Sequence, residues 1–169
     1  MMAVAQKRKP RIALRALSVA IAGALLGGIA GVPKPSAATT ERVVTNYRTG
    51  LALSGYDPVG YFTASKPVIG SAKFEASFAG ATWRFANAGN RAAFLDDPEI
   101  YAPVFGGYDP TGVARGVAVP GHPEVWLIIN ARLYLFHEPK TRDAFLKTPD
   151  AYLAAAKRQW ATVQSTLVE

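Results

Sequence analysis

The chain has no cysteine, only two histidines, and no Asp or Glu in its first 38 residues. Without cysteine there can be no disulfide, no lipid anchor on an N-terminal thiol, no thiolate catalysis, and no cysteine-based zinc or copper(I) site. Stability must come from a packed core. The two histidines leave His122 and His137 as the sole imidazoles for metal ligation or proton transfer near neutral pH. Catalytic signatures are missing too: G-x-S-x-G, H-E-x-x-H, G-x-x-x-x-G-K-[ST] and G-x-G-x-x-G do not occur. No residue is nominated as catalytic.

The acid-free N-terminus has a layout of its own. Lys7, Arg8, Lys9, Arg11 and Arg15 precede an apolar stretch from Ala16 to Val32, and Ser36 and Ala38 supply the small residues of a signal-peptidase site. Residues 1–38 are therefore expected to be a secretory signal peptide, cleaved after Ala38, and the mature protein periplasmic or secreted. The alternative is a retained anchor, but the stretch has only 17 residues and is interrupted by Gly23, Gly27, Gly28 and Gly31. No Arg-Arg pair occurs in the basic region, which favours the general export route. Six of the 19 Lys and Arg lie in residues 1–38, so the mature chain carries 13 basic against 12 acidic groups. That balance leaves no positive surplus for nucleic acid, and no membrane partner is expected after cleavage.

Residues 39–50 read as a polar, loosely held arm, and residues 51–169 as one domain. Leu51–Leu53 and Val59–Phe62 suggest short strands about a turn. Phe74–Phe78 and Ala81–Phe85 alternate apolar with polar and predict a hairpin through Ala79-Gly80. Asn87 offers a helix cap before a short helix, and Asp97-Pro98 starts another. Val113–Gly116 reads as a helical turn or loop. Val125–Ile129 (VWLII) and Arg132–Phe136 (RLYLF) are the strongest strand pair, with Asn130-Ala131 as a two-residue turn. Thr141–Lys147 reads as helix, and Pro149 opens a last helix whose Tyr152, Leu153, Ala156 and Trp160 share a face. The expected class is α+β, a small antiparallel sheet with short inserted helices and a C-terminal helix.

Gly-Tyr-Asp-Pro occurs twice, in SGYDPVG (54–60) and GGYDPTG (106–112). At the spacing of 52 that aligns them, the match fades after Gly60 and Gly112. The sequence thus reads as one turn device used twice, not as a duplicated unit. Asp before Pro suits a helix start, because the carboxylate accepts backbone N–H groups while Pro presets φ.

The runs L-S-G-Y-D-P-V-G-Y-F, F-x₈-W-R-F-A-N, F-L-D-D-P-E-I-Y-A-P-V-F-G-G-Y and V-W-L-I-I-N-A-R-L-Y-L-F resemble the YHS-domain family in its exported, single-domain bacterial form. The resemblance covers Leu51 to about Trp160. It implies a small α+β domain and an association with transition metals. The chain departs from the family pattern after G-G-Y, where Asp109 and Pro110 replace a common Cys. It departs again at Gly121-His122-Pro123-Glu124 and at Phe136-His137-Glu138. A carboxylate in place of the thiol favours harder or borderline ions.

Two functional expectations follow. The first is a binding module for a divalent transition metal or small ligand, with Tyr56, Asp57, Tyr108 and Asp109 lining the site and Asp109, His137 and His122 as metal ligands. The second is a metal-free interaction domain that docks an envelope protein through an exposed aromatic patch. An accessory enzyme ranks last. For Asp57 and Asp109 a purely structural role as turn caps competes with both, and each histidine also reads as polar punctuation of a turn or strand end.

Overall fold

The computed structural model describes residues 41–167. The expected signal peptide and its cleavage site lie outside the described residues. Among those described, no helix is long and apolar enough to cross a membrane.

The first GYDP decides how the domain starts. Leu53–Gly55 forms a 3-10 turn with φ of 51° at Leu53, 53° at Ser54 and 85° at Gly55. Asp57 then accepts the N–H groups of Val59 and Gly60 at 2.9 and 3.3 Å, which winds the chain into helix α1, Gly60–Thr63. The short strands expected on either side are therefore absent. Leu51 and Ala52 make only isolated bridges, to Thr82 and Thr45, and Val59–Phe62 turns helical because its first N–H groups are capped. Residues 41–50 are also held more firmly than their polarity suggested. Val43 is buried and the Val44 N–H bonds Gly106 O at 2.8 Å.

Strands β1, Ser71–Phe78, and β2, Ala81–Phe85, pair antiparallel as the alternating pattern predicts. Asn87 caps helix α2, Ala88–Asp96, through the Asn90 N–H, and Pro98 opens helix α3, Pro98–Tyr101. A second 3-10 turn, Val104–Gly107, leads into the second GYDP and helix α4, Pro110–Val113. Strands β3, His122–Ile129, and β4, Arg132–Phe136, form the second hairpin. Asn130 and Ala131 have φ of 49° and 55°, both left-handed as a type I′ turn requires. Helices α5, Pro139–Lys147, and α6, Pro149–Ser165, close the chain. The α+β class is as expected, but the strands lie in two separate two-stranded sheets.

The order of elements repeats. Each half runs 3-10 turn, GYDP, four-residue helix, hairpin, nine-residue helix, Pro-initiated helix. The hydrogen bonds repeat with it. The N–H of Asp57 bonds Val68 O and that of Asp109 bonds Val119 O; Gly70 N–H bonds Gly55 O and Gly121 N–H bonds Gly107 O. Both hairpins shift register at the same place, between Ser71 and Glu75 and between His122 and Trp126. The glycines match for one reason. A Cβ on Gly60 would sit 3.1 Å from Val68, and one on Gly112 2.9 Å from Val119. The chain is thus an internal structural duplication, contrary to the expectation from sequence. The spacing is 52 at the GYDP turns but 51 from the hairpins onward, because the connection after the second Asp is one residue shorter. In the 51 register Phe85 meets Phe136, Phe94 meets Phe145, Leu95 meets Leu146, Pro98 meets Pro149 and Tyr101 meets Tyr152.

Two cores result. In the first, Phe94 packs against Trp83 and Phe85, each with ring centroids 5.1 Å away. In the second, Phe145 packs against Phe136 at 5.1 Å and Tyr134 at 6.4 Å. The second hairpin serves both cores. Its Tyr134 and Phe136 face the second, while Leu133, Leu135, Trp126 and Ile128 pack into the first. Burial on both faces is what makes VWLII and RLYLF nearly continuous apolar runs.

Candidate functional site

Among the described residues, Asp57 and Asp109 are the most deeply buried charged ones, at 0% and 1% exposure. Each divides its oxygens the same way. Asp57 Oδ1 caps its own turn, while Oδ2 accepts the Ala86 N–H at 2.8 Å and Asn90 Nδ2 at 2.6 Å. Asp109 Oδ1 accepts the Thr111 N–H at 2.7 Å, while Oδ2 accepts the His137 N–H at 2.9 Å and Thr141 Oγ1 at 2.6 Å. Each carboxylate fastens its GYDP turn to the strand exit and following helix of its own repeat. A buried anion is tolerated because several donors replace its water. The capping role is as anticipated; the cross-links to Ala86, Asn90, His137 and Thr141 were not.

Asp109 and His137 do meet, but through main chain. His137 is an exposed residue whose Nδ1 lies 3.0 Å from Pro120 O, so Nδ1 carries the proton. That tautomer leaves Nε2 with a lone pair. His122, also exposed, accepts the Glu124 N–H on Nδ1 at 3.2 Å, so in the neutral ring Nε2 holds the proton. The ladder pairs His122 with Phe136, the residue before His137. Among the described residues, no three or more His, Cys, Asp or Glu are grouped to hold a metal ion. Of the expected ligand set, Asp109 is engaged by the Thr111 and His137 amides and the Thr141 hydroxyl, and Asp109, His137 and His122 are not grouped as a three-residue site.

The two motif tyrosines serve different neighbours. Tyr56 is half-buried and donates its hydroxyl to Glu124 Oε1 at 2.9 Å; that bond first, then burial and the Glu124 charge, raises its pKa. Tyr108 is fully buried and donates to Glu41 O at 2.5 Å, with its pKa pushed up to about 12 by burial and then by the Glu41 charge. Tyr61 donates to Pro123 O at 2.9 Å, and burial raises it further. These bonds tie the first repeat to the second and the second to the arm. Tyr56, Asp57, Tyr108 and Asp109 act here as fastenings, and none of them lines the cleft at the ends of the two hairpins.

A hollow lies elsewhere. A cleft of about 780 Å³ opens where the ends of both hairpins meet residues 41–45, the chain between α3 and the second 3-10 turn, and α6. Phe78 and Trp83 form one part of its wall, with ring centroids 6.5 Å apart. Phe105 and Trp160 form another, edge to face at 5.4 Å. Arg132, the first residue of β4, lines it, and its Nε, sealed from solvent, has no hydrogen-bond partner among the described residues. Its charge partly offsets the rise that burial imposes on the Tyr134 hydroxyl. Sequence reasoning missed this site, because its residues come from five segments. The one local signal was a cation opening an otherwise apolar strand.

Scans against protein-family models, characterised proteins and solved structures find no match to this chain.

Proposed function

We propose that the protein is an exported binding module of the YHS-like kind, and that it holds a small organic ligand in the cleft between its repeats. The supporting observation is the cleft itself. Its volume of about 780 Å³ suits a drug-sized molecule, and the part-buried rings of Phe78 and Trp160 line it together with a few polar groups. The tyrosines and carboxylates of the GYDP turns act by holding the walls in place.

A divalent transition metal is the second reading. What favours it is the neighbourhood of His122 and His137 at the start of the second hairpin, together with the free Nε2 of His137. Docking of an envelope protein on an aromatic patch has less support. Of the exposed large apolar residues among those described, Tyr47, Ile69, Leu95, Ile100, Val117 and Leu146, only Tyr47 is aromatic.

Thermal melts of the purified protein separate the readings. A library of small aromatic compounds should contain members that raise the melting temperature, whereas copper(II), zinc, nickel and iron(II) should not. A site filled at a hundred times its dissociation constant adds about 2.7 kcal/mol, a readily visible shift. Stabilisation by one of the metals, with none by any organic compound, would replace the first reading with the second.

A further inference from the structure

The first described residues, Glu41 to Val44, bear on how an exported precursor matures. They are fixed one after another. The Tyr108 hydroxyl donates to Glu41 O at 2.5 Å, and the Glu41 side chain accepts the Thr45 hydroxyl. Arg42 runs against the second 3-10 turn, where a Cβ on Gly106 would collide with Arg42 O. Val43 is buried in the first core, and the Val44 N–H donates to Gly106 O at 2.8 Å. These fastenings come from far along the chain. Tyr108 stands 67 residues beyond the Glu41 that it holds.

We infer that removal of the signal peptide is confined to the time before the second repeat folds, and that the folded precursor resists it. This rests on the exported reading above, with cleavage after Ala38. Only Thr39 and Thr40 then separate the scissile bond from Glu41. A protease takes its substrate as an extended strand, through main-chain N–H and C=O groups on both sides of the bond. In the folded protein the Glu41 carbonyl is taken by Tyr108, so beyond the bond at most Thr39 and Thr40 remain to enter the protease. Releasing more chain means breaking the bonds to Tyr108 and Gly106 and lifting Val43 from the core, an opening that limits the cut. Chain order sets the timing. Ala38 is delivered across the membrane well before Gly106 and Tyr108, and until they arrive residues 41–44 lack both hydrogen-bond partners. A chain that folds first keeps its apolar leader and stays tethered.

The test uses the full precursor in detergent with a purified bacterial type I signal peptidase, and mass spectrometry follows the cut. The folded chain is compared with a form carrying about eight Gly and Ser residues between Thr40 and Glu41. A third form, L135R, puts a cation into the first core and supplies the unfolded chain. The inserted form should be cut at least about ten-fold faster than the folded parent, near the rate of the unfolded chain, with a product beginning at Thr39. Thermal melts check that the insert, which lies ahead of Glu41, leaves the fold unchanged. An inserted form cut no faster than its folded parent overturns the timing inference, and the exported reading stands so long as any form is cut after Ala38. No cut there in any of the three overturns the signal-peptide expectation and the inference with it. If L135R keeps the fold, the parent and the inserted form still decide.

Discussion

The two repeats share a backbone plan and differ in what their hairpins touch. In the first, Trp83 and Phe85 face the core while Thr82 and Arg84 stay partly exposed, and Arg84 pairs with Glu75 at 2.8 Å. In the second, Tyr134 and Phe136 keep the aromatic face, but the positions of Thr82 and Arg84 are taken by Leu133 and Leu135, both buried in the first core. The opposite strands follow suit: Glu75 and Ser77 correspond to Trp126 and Ile128. The face turned to a repeat's own core kept its aromatic character, and the face that gained a new neighbour changed from polar to apolar. Repeated folds diverge where their surroundings differ.

Exchanging residues between the repeats breaks this symmetry most sharply. L135R places a cation in the first core without a partner and should unfold the protein, costing upwards of about 4 kcal/mol. The reciprocal R84L removes a half-exposed ion pair and should change stability by less than about 1 kcal/mol. Urea melts of both variants measure the contrast, and similar losses would show that the second hairpin is not held between two cores.

The two carboxylates come next. D57A strands four donors and D109A three, at about 1–3 kcal/mol for each that stays dry. Both should lose more than about 3 kcal/mol in chemical denaturation, D57A the more. A loss below about 1 kcal/mol in either would reduce that Asp to an ordinary surface cap.

The smallest effect sharpens the comparison. Thr111 is buried and its hydroxyl has no partner among the described residues, while Val59 fills the matching place in the first repeat. T111V keeps the shape and removes the stranded hydroxyl, so a gain of about 0.5–1 kcal/mol is expected. Destabilisation in the same melts would mean that the hydroxyl is bonded in solution.

The legible parts of the fold were those whose signals are local. The alternating pattern of FEASF and ATWRF, the Asn130-Ala131 turn and the prolines at helix starts each depend on neighbours within a few residues. The duplication was hidden by two physical changes: the one-residue shortening after Asp109, which moves the register from 52 to 51, and the exchange of polar for apolar residues on one face of the second hairpin. Short apolar runs such as Val59–Phe62 were misread because a capping carboxylate, not β-propensity, settles their conformation. The candidate site left almost no trace, since Phe78, Phe105, Arg132 and Trp160 come together only through tertiary packing.

Amide hydrogen exchange, with and without added zinc or copper(II), tests the central claim most directly. If the twin carboxylates are fastenings, the N–H groups of Val59, Ala86, Thr111 and His137 exchange only with global unfolding, and the metal leaves their rates unchanged. Solvent-like exchange at these four amides, or metal-induced changes confined to them while other core amides keep their rates, would show that Asp57 and Asp109 are available to a ligand after all.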